Sequence, residues 1–323
     1  MARSILRRLG YALAVLLLVS LLVFFLMALL PGDYVRAALA GSRVSPAFAE
    51  GLRRVYGLDV PAWRRYLHWL SAAVRGDLGY SFSHGRGVLS VIASTLPVTA
   101  LVGGFAFMLE LLLGICLGCA SAWRAGRTVD RLGVAFSLLT VSLPPFVLAL
   151  FMQKWLVLDL RLLPLSGLST PGAPATALDV LSHLILPCLT LALLEAGRLS
   201  RYVRASMLEV LASDYVRAAR AGGVGGLRIL GHYALRNALL PVVTYLGLSL
   251  PVLFGGALVI ETVFSLPGLG LTAYNAVLTR DYPLVMGITM LLCALTVAGN
   301  LLADLLYRAA DPRIRVGKGA QWT

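Results

Sequence analysis

The chain has 323 residues, of which 59% are apolar and only 13% charged, and its formal net charge is +13. A soluble domain carries about 25% charged residues, so this composition excludes an ordinary water-soluble enzyme. The positive charge is almost all arginine set between apolar runs. No RNA- or DNA-reading motif accompanies it, so nucleic acid is not expected as a partner.

A helix rises 1.5 Å per residue and needs about 20 apolar residues to cross a ~30 Å hydrocarbon core. Six runs meet or approach that length: Gly10–Leu30, Val98–Trp123, Leu132–Leu158, Ser182–Gly197, Ala238–Phe264 and Leu284–Tyr307. The expected fold class is therefore all-α, a polytopic membrane protein of about six transmembrane helices. The fourth run is short and can continue through Ala196 into the polar helix that follows. The expected organisation is a tail and first helix over residues 1–30, then a loop with short helices of its own over 31–97. A transmembrane core follows over 98–309, containing a polar loop at 198–237, and residues 310–323 form a tail.

The first run follows Arg3, Arg7 and Arg8. It resembles a signal peptide, and Ala38-Leu39-Ala40 mimics a cleavage site. The run is too long for that, and the site lies well beyond its end, so an uncleaved anchor is expected. In the next loop Ser45 can cap a helix that begins at Pro46 and ends before Gly57. A second helix is expected from Pro61 to Arg75, stopping at Gly76. Its Trp63, Tyr66, Leu67, Trp69 and Leu70 share one broad face. That face suits either the membrane surface or packing against the bundle, and the sequence favours neither.

Glu110 sits at the middle of its run. A charge there costs roughly 3 kcal/mol on insertion scales unless it is neutralised or meets water, so it marks either a polar pathway or a bond to a neighbouring helix. Cys116 and Cys119 form a C-x-x-C, but on an apolar helix, where they read as small packing groups. Lys154, near the end of the third run, can snorkel outward. Leu165–Ala177 is a loop rich in Ser, Thr, Pro and Gly.

The 198–237 loop is the most unusual segment. Tyr215–Ala221 reads as a helix that exposes Ala218 and Ala219 side by side. Gly222, Gly223, Gly225 and Gly226 break it, because glycine tolerates the positive φ of a tight reversal. Helical pattern resumes over Leu227–Leu235. A helix–glycine–helix hairpin with a small tip fits a soluble partner's groove; the plainer alternative is an ordinary basic loop. Arginines lie before the first run, at Arg124–Arg131, through 198–237 and after the last run. With an even number of spans these four regions share one side, so both termini are expected in the cytoplasm. The loop at 31–97 is also arginine-rich, but loops longer than about 60 residues cross regardless of charge.

Catalytic and metal-binding arrangements are not evident. The only lysines, Lys154 and Lys318, form no Gly-Lys-Ser/Thr loop, and no nucleophile stands beside a base in a recognisable pattern. His183 and Cys188 are five apart and share a helical face poorly. No catalytic residue, cofactor or metal is expected.

Several segments in order carry a resemblance: Pro31-Gly32-Asp33, GLDVPAWRRYLHWL, RGDLGYSF, RASMLEVLASDYVRAARAGG, LRNALLPVVT, ETVFSLPGLG, RDYPLV and DPRIR. Over nearly its full length the chain resembles the inner-membrane permease subunits of dipeptide, oligopeptide and nickel ATP-binding-cassette importers. The resemblance implies a type I importer permease fold in the inner (plasma) membrane, with no enzymatic activity of its own. It implies four kinds of partner: a second homologous permease, two cytoplasmic ATPase subunits, an external substrate-binding protein and the lipid bilayer. In that family the cytoplasmic loop forms coupling helices, named for a Glu-Ala-Ala run followed by glycine. Here Arg217, Ala218, Ala219 and Gly223 hold those positions, with arginine where the family has glutamate. The coupling residues are then Asp214, Tyr215, Arg217, Ala218, Ala219, Arg220, Gly223, Arg236 and Asn237, with Glu110 as a candidate pathway group. The expected cargo is a short peptide, with nickel or a metal chelate as the alternative. A proton-driven secondary transporter using Glu110 as relay is the rival class.

Overall fold

The computed structural model describes residues 2–40, 45–174, 176–239, 242 and 257–310. Most of the fifth expected run, and the DPRIR segment, lie outside the described residues. The chain divides into two compact units.

The first unit takes residues Met1–Ala100 and Leu266–Val297. It opens with α1 (Ala2–Leu29), apolar enough to span a membrane over Gly10–Leu29. The Asp33 carboxylate accepts from the Arg36 N–H at 2.8 Å and so starts α2 (Tyr34–Ala38). Ser45 caps α3 (Pro46–Val55), its hydroxyl accepting from the Phe48 N–H at 3.3 Å. Then comes α4 (Ala62–Ala73), followed at Gly76 by a left-handed turn with φ +85°. A hairpin of two-residue strands pairs β1 (Tyr80–Ser81) with β2 (Arg86–Gly87) and leads directly into α5 (Val88–Trp123). Two further helices, α11 (Leu269–Leu278) and α12 (Tyr282–Ala310), complete the unit with their portions up to Val297.

Two apolar clusters hold this unit. Val88, Val91 and Ile92 pack with Leu269, Leu284 and Ile288, all nearly solvent-free. Phe24 of α1 packs with Tyr66 and Trp69 of α4 and with Met286 of α12. Each such side chain contributes about 1.5–3 kcal/mol on burial. The face of α4 read from the sequence is thus split: Tyr66 and Trp69 are buried, while Trp63 and Leu67 are exposed. The Tyr66 hydroxyl also bonds to Ser20 Oγ of α1 at 3.0 Å.

A polar node joins segments 200 residues apart. Asp281, fully buried, accepts at Oδ2 from Ser81 Oγ (2.7 Å), Ser83 Oγ (2.7 Å) and the Ser83 N–H (2.9 Å). Its Oδ1 accepts from the Leu284 N–H at 3.3 Å, at the start of α12. Arg280, with φ +60°, reverses the chain just before this node. Beside it, the Tyr34 hydroxyl donates to the Phe82 carbonyl at 2.9 Å, and the rings of Tyr34, Tyr56 and Phe82 contact one another. The Tyr282 hydroxyl donates to the Gly32 carbonyl at 3.3 Å. Three of the recognised sequence segments (Pro31-Gly32-Asp33, RGDLGYSF and RDYPLV) therefore meet in one place.

The second unit takes Leu101–Ser265 and Ala298–Thr323. It contains the remainder of α5, then α6 (Thr128–Ser142) and α7 (Pro145–Met152), which continues as a π-helical stretch over Gln153–Asp159. Next is α8 (Ala177–Leu211), capped by Thr176, whose hydroxyl accepts from the Asp179 N–H at 3.2 Å. At 1.5 Å per residue its 35 residues run about 50 Å, well beyond a ~30 Å membrane core. After it come α9 (Asp214–Ala221) and α10 (Gly226–Arg228), continued by a π-helical stretch over Ile229–Leu235. Helices α5, α6 and α8 approach closely at glycines. A Cβ on Gly118 would stand 2.7 Å from the Ser200 carbonyl oxygen, and one on Gly197 would stand 1.8 Å from Thr140 Oγ1.

The third expected span needs correction. Leu132–Leu158 is not one helix: α6 and the α7 segment meet at a 108° bend. Pro144 and Pro145 explain it. Proline lacks an N–H and drives the residue before it out of the α region, and Leu143 sits at φ −81°, ψ 128°. Other boundaries also differ from the apolar runs. Helix α5 begins at Val88 rather than Val98, and α8 extends beyond Ser182–Gly197 at both ends. Among the described residues, four helices are long and apolar enough to cross a membrane, or five spans if the bent pair counts as one.

Candidate coupling hairpin and buried carboxylate

The long α8 delivers the chain to the hairpin, and one ion pair braces it on the way. Arg204 donates from Nε to Asp130 Oδ1 (2.6 Å) and from a terminal nitrogen to Oδ2 (2.8 Å). This bidentate fork is the strong form of the interaction. The same carboxylate accepts from the Gly126 N–H at 2.8 Å, so it also fixes the turn between α5 and α6. The Asp130 side chain is 7% exposed. Sequence reading missed this pair; its signal was a single acid among Arg124, Arg127 and Arg131.

The hairpin follows Ser213. In α9, Val216 is fully buried and anchors the helix. Asp214 and Arg217 form an ion pair one turn apart on its exposed side, so the arginine at the family's glutamate position is partnered within the helix. Ala218 is exposed and Ala219 half-buried. The α9 carbonyls are closed by the N–H groups of Gly222 (to Ala218, 2.9 Å) and Val224 (to Ala219, 3.1 Å). Between them Gly223 takes φ +78°, with no atom near where a Cβ would sit. The turn requires glycine for backbone reasons, and open space lies outside it.

The return arm is tied to α9 by side chains. Asn237 Nδ2 donates to the Tyr215 hydroxyl and to the Tyr233 carbonyl, each at 3.0 Å. Arg236 is exposed and, with Tyr215, His232, Tyr233 and Asn237, borders a cleft of about 480 Å³. Arg220 lies over the Trp123 ring, 5.9 Å from its centre, beside a second cleft of about 500 Å³ that Leu208 and Leu211 also line. Leu227 is 85% exposed near the turn, a large apolar side chain that the sequence reading did not single out. All nine expected hairpin residues thus fall within one stretch of α9, its turn and its return arm. Their backbone is well bonded and their small tip faces open space. Among the described residues the hairpin holds no nucleophile–base pair.

Glu110 lies elsewhere in this unit. It is fully buried, and among the described residues neither carboxyl oxygen has a hydrogen-bond partner. Glu195 and Arg198 are the charged groups it feels, and these two pair with each other at 3.0 Å. Of the two roles open to Glu110, a bond to a neighbouring helix is not present among the described residues.

The sequence matches a family described as the binding-protein-dependent transport system inner membrane component over residues 114–316. Residues 1–103 match the N-terminal part of such membrane components. The oligopeptide transport system permease protein AppB of Bacillus subtilis is 38% identical over 316 residues, covering 97% of this chain and 99% of that protein. The probable peptide ABC transporter permease protein y4tP of Sinorhizobium fredii is 36% identical over 311 residues, covering 96% of this chain and 98% of that one. In fold, the chain is similar to the solved structure of an amino acid ABC transporter with histidines. That TM-score is 0.52 at 15% identity, over 68% of this chain and 94% of the other.

Mostly helical, with several apolar spans, the molecule has the type I fold of an importer's membrane subunit. The chain belongs to the binding-protein-dependent transport system inner membrane component family, the permeases of ABC importers.

Proposed function

We propose that this chain forms half of the translocation pore of an ATP-driven importer for short peptides and that its 198–237 hairpin couples the pore to cytoplasmic ATPase subunits. One observation carries the reading: a small-residue tip on a firmly bonded hairpin that follows a 35-residue helix after a two-residue break. A rigid helix of that length turns a push at the hairpin into movement within the membrane. A second permease completes the pore, an external binding protein delivers cargo, and both termini lie in the cytoplasm, as the arginine placement favours. Bond chemistry belongs to the ATPase partners.

The peptide assignment rests on relatives whose names specify peptides, at 36% and 38% identity over nearly the whole chain. Weakly charged spans suit a cargo that brings its own polar groups. Proteoliposomes containing the assembled importer and its binding protein test it. Labelled di- to pentapeptides should accumulate only with ATP, and a nickel chelate should not. Chelate accumulation without peptide uptake would replace peptide by metal chelate. Uptake driven by a proton gradient without ATP would instead favour the secondary-transporter class, with Glu110 as its relay.

A further inference from the structure

The first unit holds a cavity of about 650 Å³ that the coupling mechanism does not use. Its walls combine apolar and basic side chains. Phe24 of α1, Met286 of α12 and Trp69 of α4 supply an apolar part, and Arg64, Arg65 and His68 of α4 supply a basic part. Asp77 is the acidic residue on the wall, and its Oδ1 is already taken by the Gly79 N–H at 2.8 Å.

Arg65 is the telling residue. It is half-buried, and its guanidinium lies 5.7 Å from the centre of the Phe24 ring and 5.4 Å from that of Tyr282. Among the described residues no carboxylate stands within 4 Å of it. Burial lowers its pKa from the ordinary arginine value, only partly opposed by Tyr282 and Asp33. A guanidinium held on two aromatic faces is oriented but still lacks an anion. Depth decides which anion. Phe24 lies five residues before the end of α1, about 7–8 Å along the helix and inside the apolar stretch Gly10–Leu29. Beside the cavity, Trp63 and Leu67 are each 54% exposed, as on an interfacial helix that sinks ~5–10 Å into the headgroup boundary. Arg64 is stacked on Trp63, 5.0 Å from its ring centre.

We propose that this cavity is a binding site for an anionic phospholipid, with the phosphate on Arg64 and Arg65 and part of an acyl chain along Phe24, Trp69 and Met286. In the topology proposed above the lipid comes from the outer leaflet. Occupancy of the site does not depend on cargo identity or on that orientation, so its test stands apart from theirs. A bound lipid supplies the missing charge of Arg65 and fills the space between α4 and the spans.

The probe is phosphatidylglycerol, compared with phosphatidylcholine, in native mass spectrometry of the assembled importer from mixed-lipid nanodiscs. Wild type should retain phosphatidylglycerol in preference. The double variant R64Q/R65Q should bind it about a hundredfold more weakly, the loss of roughly one charge-assisted hydrogen bond from each arginine. Ala72→Trp lines the same cavity and keeps both arginines; it should also evict the lipid, separating occupancy from surface charge. Equal retention in wild type and both variants overturns the proposal. So does displacement of the lipid by millimolar inorganic phosphate, which would mean a free-anion site, or by the isolated binding protein, which would mean a docking surface for that protein. Assembly by size exclusion confirms that each variant is folded.

Discussion

The Asp281 node and the 198–237 hairpin are both built from recognisable sequence segments, yet they spend their polar groups in opposite ways. At the node a buried carboxylate accepts from two serine hydroxyls and two backbone N–H groups, all from this chain. At the hairpin the exposed side chains include Ala218, an apolar Leu227, and, between Asp214 and Asn237, arginines of which, among the described residues, only Arg217 pairs with an acid, Asp214 one turn away. Satisfied buried groups serve the fold that contains them. Small exposed groups on a rigid support leave room for something else. Segments alike in being recognisable thus divide into one whose polar groups are satisfied within this chain and one that, in the proposed function, meets another chain.

Substitutions can break that division. The largest effect is expected at the node. Asp281→Ala leaves two serine hydroxyls and two N–H groups without their acceptor, and should cost about 3 kcal/mol or more in stability. Asp281→Asn keeps part of the geometry and should cost less. Thermal unfolding of the purified importer measures both; no shift for Asp281→Ala would mean that the node is dispensable.

Next comes Asp130→Ala, which strands the partly buried Arg204 and frees the turn at Gly126. A loss of about 3 kcal/mol is expected, since one partner of a buried pair is left behind. Asp130→Ala combined with Arg204→Met should recover part of it in the same melt. A double variant as unstable as the single one would assign the loss to the turn alone.

At the hairpin the expectation reverses. Ala219→Glu and Gly223→Ala should leave assembly of the membrane subunit intact while lowering ATP-dependent uptake. Gly223→Ala has space but a strained φ, and should cost only about 1 kcal/mol. Uptake assays beside melting curves separate the two readouts, and full uptake with Ala219→Glu would remove the tip from the coupling role. The smallest effect belongs to Tyr215→Phe, which removes the acceptor for Asn237 and should cost about 0.5–1 kcal/mol in the same melt. A loss above 2 kcal/mol would show that the hairpin is held together there, not at Val216.

The sequence disclosed what depends on neighbours along the chain. Ser45 with Pro46 and the glycines after Ala221 are local signals, and they mark real element ends. Apolar runs located membrane helices but not their limits. Ser90, Ser94 and Thr95 hid the start of α5, although a helix tolerates them and the Ser94 and Thr95 hydroxyls bond back to its carbonyls. Pro144-Pro145 was a visible break that uniform hydropathy masked. The Asp281 node and the Asp130–Arg204 pair were hidden for another reason. Their partners lie 198–200 and 74 residues away, and single-sequence patterns do not register such distances. At the hairpin the helix ending in glycines was legible because glycine signals act locally, while the clefts beside Trp123 and Tyr233 needed coordinates.

The central claim is that the α9 tip is where the ATPase docks. Ala219→Cys in the assembled importer, labelled with a short thiol-specific reagent that carries a photoreactive group, addresses it directly; the native cysteines all lie on membrane helices. The account predicts an adduct between this chain and an ATPase subunit that depends on the cysteine at 219. Adducts only with the second permease or the binding protein, in an importer that still hydrolyses ATP, would contradict it.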